Sequence, residues 1–156
     1  MIRKIALILL LLVFMGIGSI FAWESGYTKP TFSFGFSNFW NGSSESGMAF
    51  GLDLDFVAFN GLTFGLQNLI VADDRPDTDL VTSIGLGYTF TADLWSIGAK
   101  LMITNFMDTG VGADVNGTFW VSEKLGITGM ATYFRGVGDD HDWNILTFRL
   151  GISARL

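Results

Sequence analysis

Bulky apolar residues alternate with small or polar residues in eight segments of this chain, all of them after Pro30. In the first segment, for example, Phe32 and Phe34 flank Ser33. Successive side chains of a β-strand point to opposite sides, so a period of two predicts strands with two different faces. The segments are 31–37, 48–58, 62–67, 80–90, 95–103, 111–121, 125–133 and 146–156. The pattern therefore predicts an all-β fold of eight strands.

The composition of the two faces indicates where each face points. The small face is rich in Gly, Ser and Thr, and only 15% of the chain is charged, against about 25% in a typical soluble domain. Small side chains suit the cramped interior of an eight-stranded barrel, and bulky apolar side chains suit lipid. Strands can cross a bilayer only as a closed sheet without edges. We predict an eight-stranded antiparallel up-and-down transmembrane β-barrel that is polar inside and apolar outside.

Short and long connections alternate between the predicted strands. Asn60-Gly61 is a typical two-residue hairpin turn, and residues 91–93 and 122–124 form two more tight turns. The longer connections are residues 41–47, 72–79, 104–109 and 136–142. Outer-membrane barrels have short periplasmic turns and longer external loops. This rhythm predicts that both ends of the mature chain are periplasmic.

Aromatic residues lie near the ends of the predicted strands, where the interfacial girdles of a membrane barrel are expected. They are Phe39, Trp40, Phe56, Phe59, Tyr88, Phe90, Trp95, Phe119, Trp120, Tyr133, Phe134 and Trp143. We expect these rings to face the membrane interface.

The N-terminus has the three parts of a secretory signal peptide. Arg3 and Lys4 precede an apolar run over residues 5–15, and Ala22 provides a small residue for cleavage. That run is shorter than the roughly 20 residues of a membrane-spanning helix. We therefore predict a signal peptide over residues 1–22 and a β-barrel over residues 23–156.

The charge and the cysteine content exclude several functions. Cleavage after Ala22 leaves seven basic against 15 acidic residues, a net charge of −8. This charge and a pI near 4.4 argue against a nucleic-acid partner. The chain has no cysteine, so disulfides and thiolate chemistry are excluded.

Several charged residues fall on the small, inward face of the predicted strands. They are Asp53, Asp55, Lys100, Asp114, Arg149 and Arg155. Unpaired charges in a narrow lumen would cost several kcal/mol each, so we expect a polar network of ion pairs. Such a network could line a path for ions or solutes, or it could form a packed structural plug. We favour the plug.

A second polar cluster lies in the last long connection, where Asp139, Asp140, His141 and Asp142 are consecutive. Carboxylates with one imidazole could bind Ca²⁺ or Zn²⁺. Consecutive acids without a ligand spacing are more typical of a solvated acidic loop, which is the interpretation we favour. We therefore predict no metal ion and no cofactor.

The last eight residues, 149–156, resemble the C-terminal assembly signal of outer-membrane barrels. In that signal a polar residue is followed by glycine two positions later and by hydrophobic residues at the third-last and last positions. Arg149, Gly151, Ala154 and Leu156 occupy these places. The whole mature chain resembles the small eight-stranded family that includes the outer-membrane protein A transmembrane domain and outer-membrane protein X.

The resemblance implies a location and partners. It implies insertion by the barrel assembly machinery and contact with outer-membrane lipid, including lipopolysaccharide where present. We expect a monomer.

Some barrels of this size are enzymes that modify lipid A with a His–Ser pair and an acid. His141 is the single histidine of this chain, and its serine would have to come from Ser43, Ser44 or Ser46. Because no serine lies near His141 in its own loop, we expect no enzymatic activity. The sequence favours a non-enzymatic envelope protein with a structural or surface-interaction role. The alternatives are a narrow channel for small or hydrophobic solutes and a lipid A-modifying enzyme.

Overall fold

The protein is described from a computed structural model that covers residues 26–40, 44–72, 79–104, 109–137 and 143–156. Eight strands make up nearly all of these residues. They are β1 (Tyr27–Trp40), β2 (Ser44–Val57), β3 (Leu62–Ala72), β4 (Asp79–Thr91), β5 (Trp95–Thr104), β6 (Gly110–Trp120), β7 (Leu125–Gly136) and β8 (Asn144–Ala154). Within the described residues there is no helix long and apolar enough to span a bilayer. The predicted signal peptide, residues 1–22, lies outside them.

The strands close into an antiparallel barrel in sequence order. Each strand pairs with the next, and β1 pairs with β8, as in Phe34 opposite Leu150. The backbone of Thr28 also exchanges two hydrogen bonds with the backbone of Leu156, at 3.0 and 2.9 Å. The predicted eight-stranded up-and-down barrel is therefore confirmed, and among the described strands no edge is left open.

The apolar face of the barrel points outward, as predicted. Phe32, Phe34 and Phe36 of β1 are 61–74% exposed, and Leu101 of β5 is 76% exposed. Ser33, between Phe32 and Phe34, is buried, as are Lys100 and Met102 on either side of Leu101. In water such a surface would be unstable, and in a bilayer it matches the surrounding hydrocarbon.

The turn between β2 and β3 differs from the predicted two-residue hairpin. The Ala58 N–H donates to the Leu62 carbonyl at 2.8 Å, and the Gly61 N–H donates to the Ala58 carbonyl at 2.8 Å. Gly61 has a φ of +87°. The loop therefore contains three residues and ends on a left-handed glycine, a geometry that also uses an Asn-Gly pair.

Four of the aromatic residues predicted for the membrane interface face the lumen. Phe39, Trp120, Phe134 and Trp143 are 0–4% exposed. Each lies on the inward face of the alternation, as Phe134 does two residues after the buried Thr132. The alternation of the strand therefore overrides the preference of aromatic rings for the membrane interface. Trp95 and Phe119, by contrast, are paired on the outer surface.

Candidate functional site

The barrel lumen is filled with side chains in three layers. The ionic layer in the middle consists of Lys29, Asp53, Asp55, Lys100, Asp114 and Arg149. The apolar layer at the long-loop end consists of Phe39, Ala49, Leu69, Val71, Val81, Met102, Phe134, Trp143 and Ile145. The arginine–aromatic cluster at the tight-turn end consists of Tyr27, Trp120 and Arg155.

Lys100 is the centre of one half of the ionic layer. Its Nζ lies 2.5 Å from Asp55 Oδ1 and 3.4 Å from Asp114 Oδ2. Lys29 adds a second cation, with its Nζ 3.5 Å from Asp55 Oδ2. Asp55 is thus shared by two ammonium groups, which compensates the cost of burying its charge.

Arg149 is the centre of the other half. Its Nη1 lies 3.0 Å from Asp53 Oδ2 and donates to Ser33 Oγ at 3.0 Å. Its Nη2 donates to Thr132 Oγ1 at 3.1 Å. On the far side of Asp53, Gln67 Nε2 donates to Oδ1 at 2.6 Å. The Arg149–Asp53 pair joins β8 to β2, and its partners Thr132 and Gln67 extend this group to β7 and β3.

One neutral side chain, Thr132, joins the two halves, and a second, Asn116, links two members of the Lys100 half. Thr132, which accepts from Arg149, donates to Asp114 Oδ1 at 2.7 Å. Asn116 accepts from Lys29 Nζ at 2.7 Å and donates to Asp114 Oδ2 at 3.1 Å. The ionic layer is therefore one connected network with three acidic and three basic residues, and its formal charge is zero.

Two glycines leave room for this network. A Cβ on Gly51 would lie 1.8 Å from Arg149 Nη1, and a Cβ on Gly65 would lie 2.8 Å from Asp55 Oδ1. Any side chain at these positions would displace the ion pairs. Part of the glycine content of the inner face is therefore a packing requirement of the charged groups.

The structure brings together five of the six charged residues predicted to face the lumen, and it adds Lys29. The sixth, Arg155, lies apart from them in the arginine–aromatic cluster. Lys29 is not among the predicted residues because the sequence pattern places the first strand after Pro30, whereas β1 begins at Tyr27. Lys29 lies two residues before Thr31, in the inward register of β1, and it is 1% exposed. Extending the alternation across Pro30 would have identified it.

The apolar layer closes the lumen above the ionic layer. Phe134, Ile145 and Leu69 are each 0% exposed, and Met102 is 2% exposed. Trp143 packs against Gly110, where an added Cβ would lie 2.5 Å from the indole ring. The long-loop half of the lumen is thus packed like the core of a soluble protein.

At the tight-turn end, Arg155 stacks on two aromatic rings. Its guanidinium carbon lies 4.1 Å from the Trp120 ring centre and 4.9 Å from the Tyr27 ring centre. The two rings meet edge to face with centroids 6.2 Å apart. Cation–π contacts of this kind stabilise an arginine. Among the described residues Arg155 forms no ion pair with the ionic layer, so the two groups are separate.

The structure describes few of the remaining candidate residues. Asp139, Asp140, His141 and Asp142, the candidate metal ligands, lie outside the described residues, as does Ser43. Among the residues that the structure describes, no group of three or more His, Cys, Asp or Glu side chains could hold a metal ion. Ser46 lies near the start of β2, where its hydroxyl donates to Asn38 at 2.7 Å.

The residues of the C-terminal assembly signal lie on β8 and just after it. Gly151 is opposite Ser33 of β1, and Ala154 is opposite Leu125 of β7. Leu156 pairs with Thr28 through its backbone. They complete the seam between the first and last strands, and their recognition during assembly remains a prediction.

Solved structures with this architecture include small eight-stranded outer-membrane barrels. Neisserial surface protein A matches with a TM-score of 0.64 and 12% identity, over 84% of this chain and 97% of that one. Ail, the attachment invasion locus protein of Yersinia pestis, matches with a TM-score of 0.60 and 13% identity, over 84% and 99% of the two chains. The N-terminal β-barrel domain of Pseudomonas aeruginosa OprF gives 0.59 and 11%, over 83% and 97%.

These matches concern structure and not sequence. No protein-family model matches the chain, and no curated protein matches its sequence. At 11–13% identity the likeness shows the fold alone, which is that of the small eight-stranded transmembrane barrels.

Proposed function

We propose that this protein is a non-enzymatic outer-membrane barrel with a plugged lumen and a structural or surface-interaction role in the envelope. The observation that carries this proposal is the neutral ionic layer. All six of its residues are 1–4% exposed, and each contacts an opposite charge. Within the ionic layer, no charge is left over to attract a permeating ion.

The apolar layer supports the same conclusion. An ion crossing the lumen would have to separate buried ion pairs and then pass the buried hydrophobic side chains of the apolar layer. Each step carries a desolvation cost of several kcal/mol. An ion would thus meet two successive barriers, the ionic layer and the apolar layer, and this arrangement favours a plug over a pore.

The proposed orientation places the long loops outside the cell and the tight turns in the periplasm. It is supported by the alternation of connection lengths and by the position of Tyr27 and Leu156, which lie at the tight-turn end. We further propose export through the signal peptide at residues 1–22 and insertion by the barrel assembly machinery. Outer-membrane lipid, including lipopolysaccharide where present, would surround the monomeric barrel.

The charge of the chain limits the surface partners that it could bind. A structure of Ail contains the heparin analogue sucrose octasulfate. After cleavage of the signal peptide this chain would carry a net charge of −8, which repels polyanions. Any surface interaction would therefore involve neutral or cationic groups.

Planar-bilayer recording tests the plugged lumen. The refolded protein should give no stable single-channel steps, whereas a general porin in the same bilayers should conduct. Heat-modifiable migration on gel electrophoresis would show that the sample is folded. Reproducible current steps from folded protein would overturn the plug.

A narrow conduit for hydrophobic solutes is the second candidate, and the apolar layer is the observation in its favour. A photoreactive apolar probe added to the folded protein would label Met102 and Phe134 if solutes entered this layer. The plug predicts that labelling stays confined to lipid-facing residues such as Leu101.

The non-enzymatic part of the proposal has a separate test. Lipid A from host cells should have the same composition with the wild-type protein, with a His141→Ala variant and without the protein. A modification that depends on His141 would establish the enzyme instead.

A further inference from the structure

The outer surface of the barrel carries an apolar groove across strands β6, β7 and β8, with a volume of about 660 Å³. Its floor includes Gly117 and Gly129, and its walls include Ile97, Val115, Phe34 and Phe148. Pockets for small ligands typically measure about 300–1,000 Å³. The groove therefore has the size of a ligand site, although it lies on the lipid-facing surface.

The two floor glycines are not required by the packing of the barrel. Gly117 and Gly129 lie directly opposite each other on β6 and β7. A Cβ on Gly117 would have no neighbour within 4 Å, and a Cβ on Gly129 would first meet Leu150 Cδ2 at 3.7 Å. By contrast, a Cβ on Gly112 of the same strand would lie 2.2 Å from the Tyr133 carbonyl oxygen.

The backbone does not require these glycines either. The β6–β7 register runs without a bulge from Gly110 to Trp120, and neither Gly117 nor Gly129 has a positive φ. Glycine inside a strand commonly marks a bulge, a bend or a site where a ligand or another chain approaches closely. The unbroken register excludes a bulge here, and the open space above both glycines fits the close approach of another molecule.

We propose that this groove holds an acyl chain of a membrane lipid. The groove is continuous with the apolar band that already contacts the bilayer, and its walls are hydrocarbon side chains. The closed barrel offers no free strand edge for another protein chain at this place. A hydrocarbon chain matches both the shape and the chemistry of the groove.

The position of the groove indicates which lipid supplies the chain. The Gly117–Gly129 pair lies three residue pairs from Trp120 and Gly126, the last pair before the tight turn. At about 3.4 Å per residue, the floor is roughly 10 Å along the strands from the turn end. The chain would thus come from a lipid of the leaflet on the tight-turn side. This inference depends on the transmembrane fold and not on whether the lumen conducts.

Photo-crosslinking in lipid nanodiscs tests the proposal. The probe is a phosphatidylethanolamine with a diazirine in the middle of one acyl chain, and crosslinked residues are mapped by mass spectrometry. We expect crosslinks within residues 115–119 and 127–131 to be several-fold more frequent than at Ile84 and Leu86, which face lipid on β4. Equal labelling of all lipid-facing strands would overturn the proposal.

Filling the groove provides the matched comparison. A Gly117→Val/Gly129→Val variant should lose the enrichment and keep heat-modifiable migration, because valine suits a strand and both positions are open. Ala113→Val is the control, since Ala113 faces outward on the same strand but does not line the groove, and it should keep the enrichment. If the double variant fails to fold, Gly117→Val alone should reduce the enrichment.

Two further outcomes would contradict the proposal. Enrichment that persists in the filled variant would show that the probe does not enter the groove. A protein–protein crosslink between two barrels through residues 115–131 would show that a second copy of this chain occupies it.

Discussion

Lys100 Nζ lies 2.5 Å from Asp55 Oδ1 across the barrel lumen, although β5 and β2 share no backbone hydrogen bonds. Lys100 also lies opposite Asp114 on the neighbouring strand β6. One side chain therefore ties together three strands, two of which are separated by β3 and β4. Such ties across the lumen make closure of the barrel and formation of the ionic layer mutually dependent.

Arg149 and Asp53 should be energetically coupled. Arg149→Met leaves the Asp53 carboxylate buried without its cation, so we expect unfolding free energy to fall by about 3–5 kcal/mol. Asp53→Asn should lower the unfolding free energy less in the Arg149→Met background than in the wild type, and the difference, the coupling energy, should be about 0.5–3 kcal/mol. Urea unfolding in lipid vesicles, followed by tryptophan fluorescence, measures the cycle, and strict additivity would contradict the pairing.

The two lysines of the ionic layer should contribute unequally. Lys100→Met removes the cation shared by Asp55 and Asp114, whereas Lys29→Met leaves Lys100 on Asp55. We expect Lys100→Met to cost about 3–5 kcal/mol and Lys29→Met to cost less. The same unfolding measurement ranks the two variants, and a larger loss for Lys29→Met would show that the layer is arranged differently.

The apolar layer should respond to truncation like a protein core. Phe134→Ala leaves a cavity that the lumen cannot refill, with an expected cost of about 3–5 kcal/mol. Phe148 faces lipid, which can fill the space left by Phe148→Ala. The loss of unfolding free energy should therefore be limited to the lost burial of the ring, about 1.5–3 kcal/mol. A smaller loss for Phe134→Ala than for Phe148→Ala would argue against a packed lumen.

Glycine-to-alanine substitutions should separate two classes of glycine. Gly61 has a φ of +87° and would place a Cβ 2.6 Å from the Thr89 carbonyl oxygen. Gly61→Ala should therefore destabilise the barrel by more than about 1 kcal/mol. The Cβ added by Gly117→Ala would have no neighbour within 4 Å, so this substitution should be neutral or should stabilise the barrel by up to about 1 kcal/mol. Equal destabilisation by the two substitutions would contradict these environments.

The barrel itself could be predicted because one physical requirement fixes it. A strand with one apolar and one small face needs two environments, and only a closed sheet satisfies the backbone in lipid. The alternation around Phe32 and Phe34 is therefore sufficient to predict a closed barrel in lipid, even though it contains no information on which residues contact each other. The three-residue turn at Gly61 could not be told from a two-residue one, because both use Asn-Gly.

The contents of the lumen were predicted less completely. The inward charges followed from strand register, but the partner of Lys100 across the lumen depends on the stagger of all eight strands. The register of Phe39 and Trp143 would have placed both rings inside, and their bulk misled the prediction toward the membrane interface. The acidic residues 139–142 lie outside the described part of the chain.

Spin-label accessibility along β5 tests most directly whether this is a membrane barrel with a filled lumen. Because the chain has no cysteine, single cysteines at Ile97, Ala99, Leu101 and Ile103 and at Ser96, Gly98, Met102 and Thr104 can each carry one label. The account predicts high accessibility to lipid-soluble oxygen at the first set. At the second set it predicts low accessibility to both oxygen and a water-soluble nickel chelate. Nickel access at Leu101 would contradict the membrane-facing surface, and nickel access at Met102 would contradict the plug.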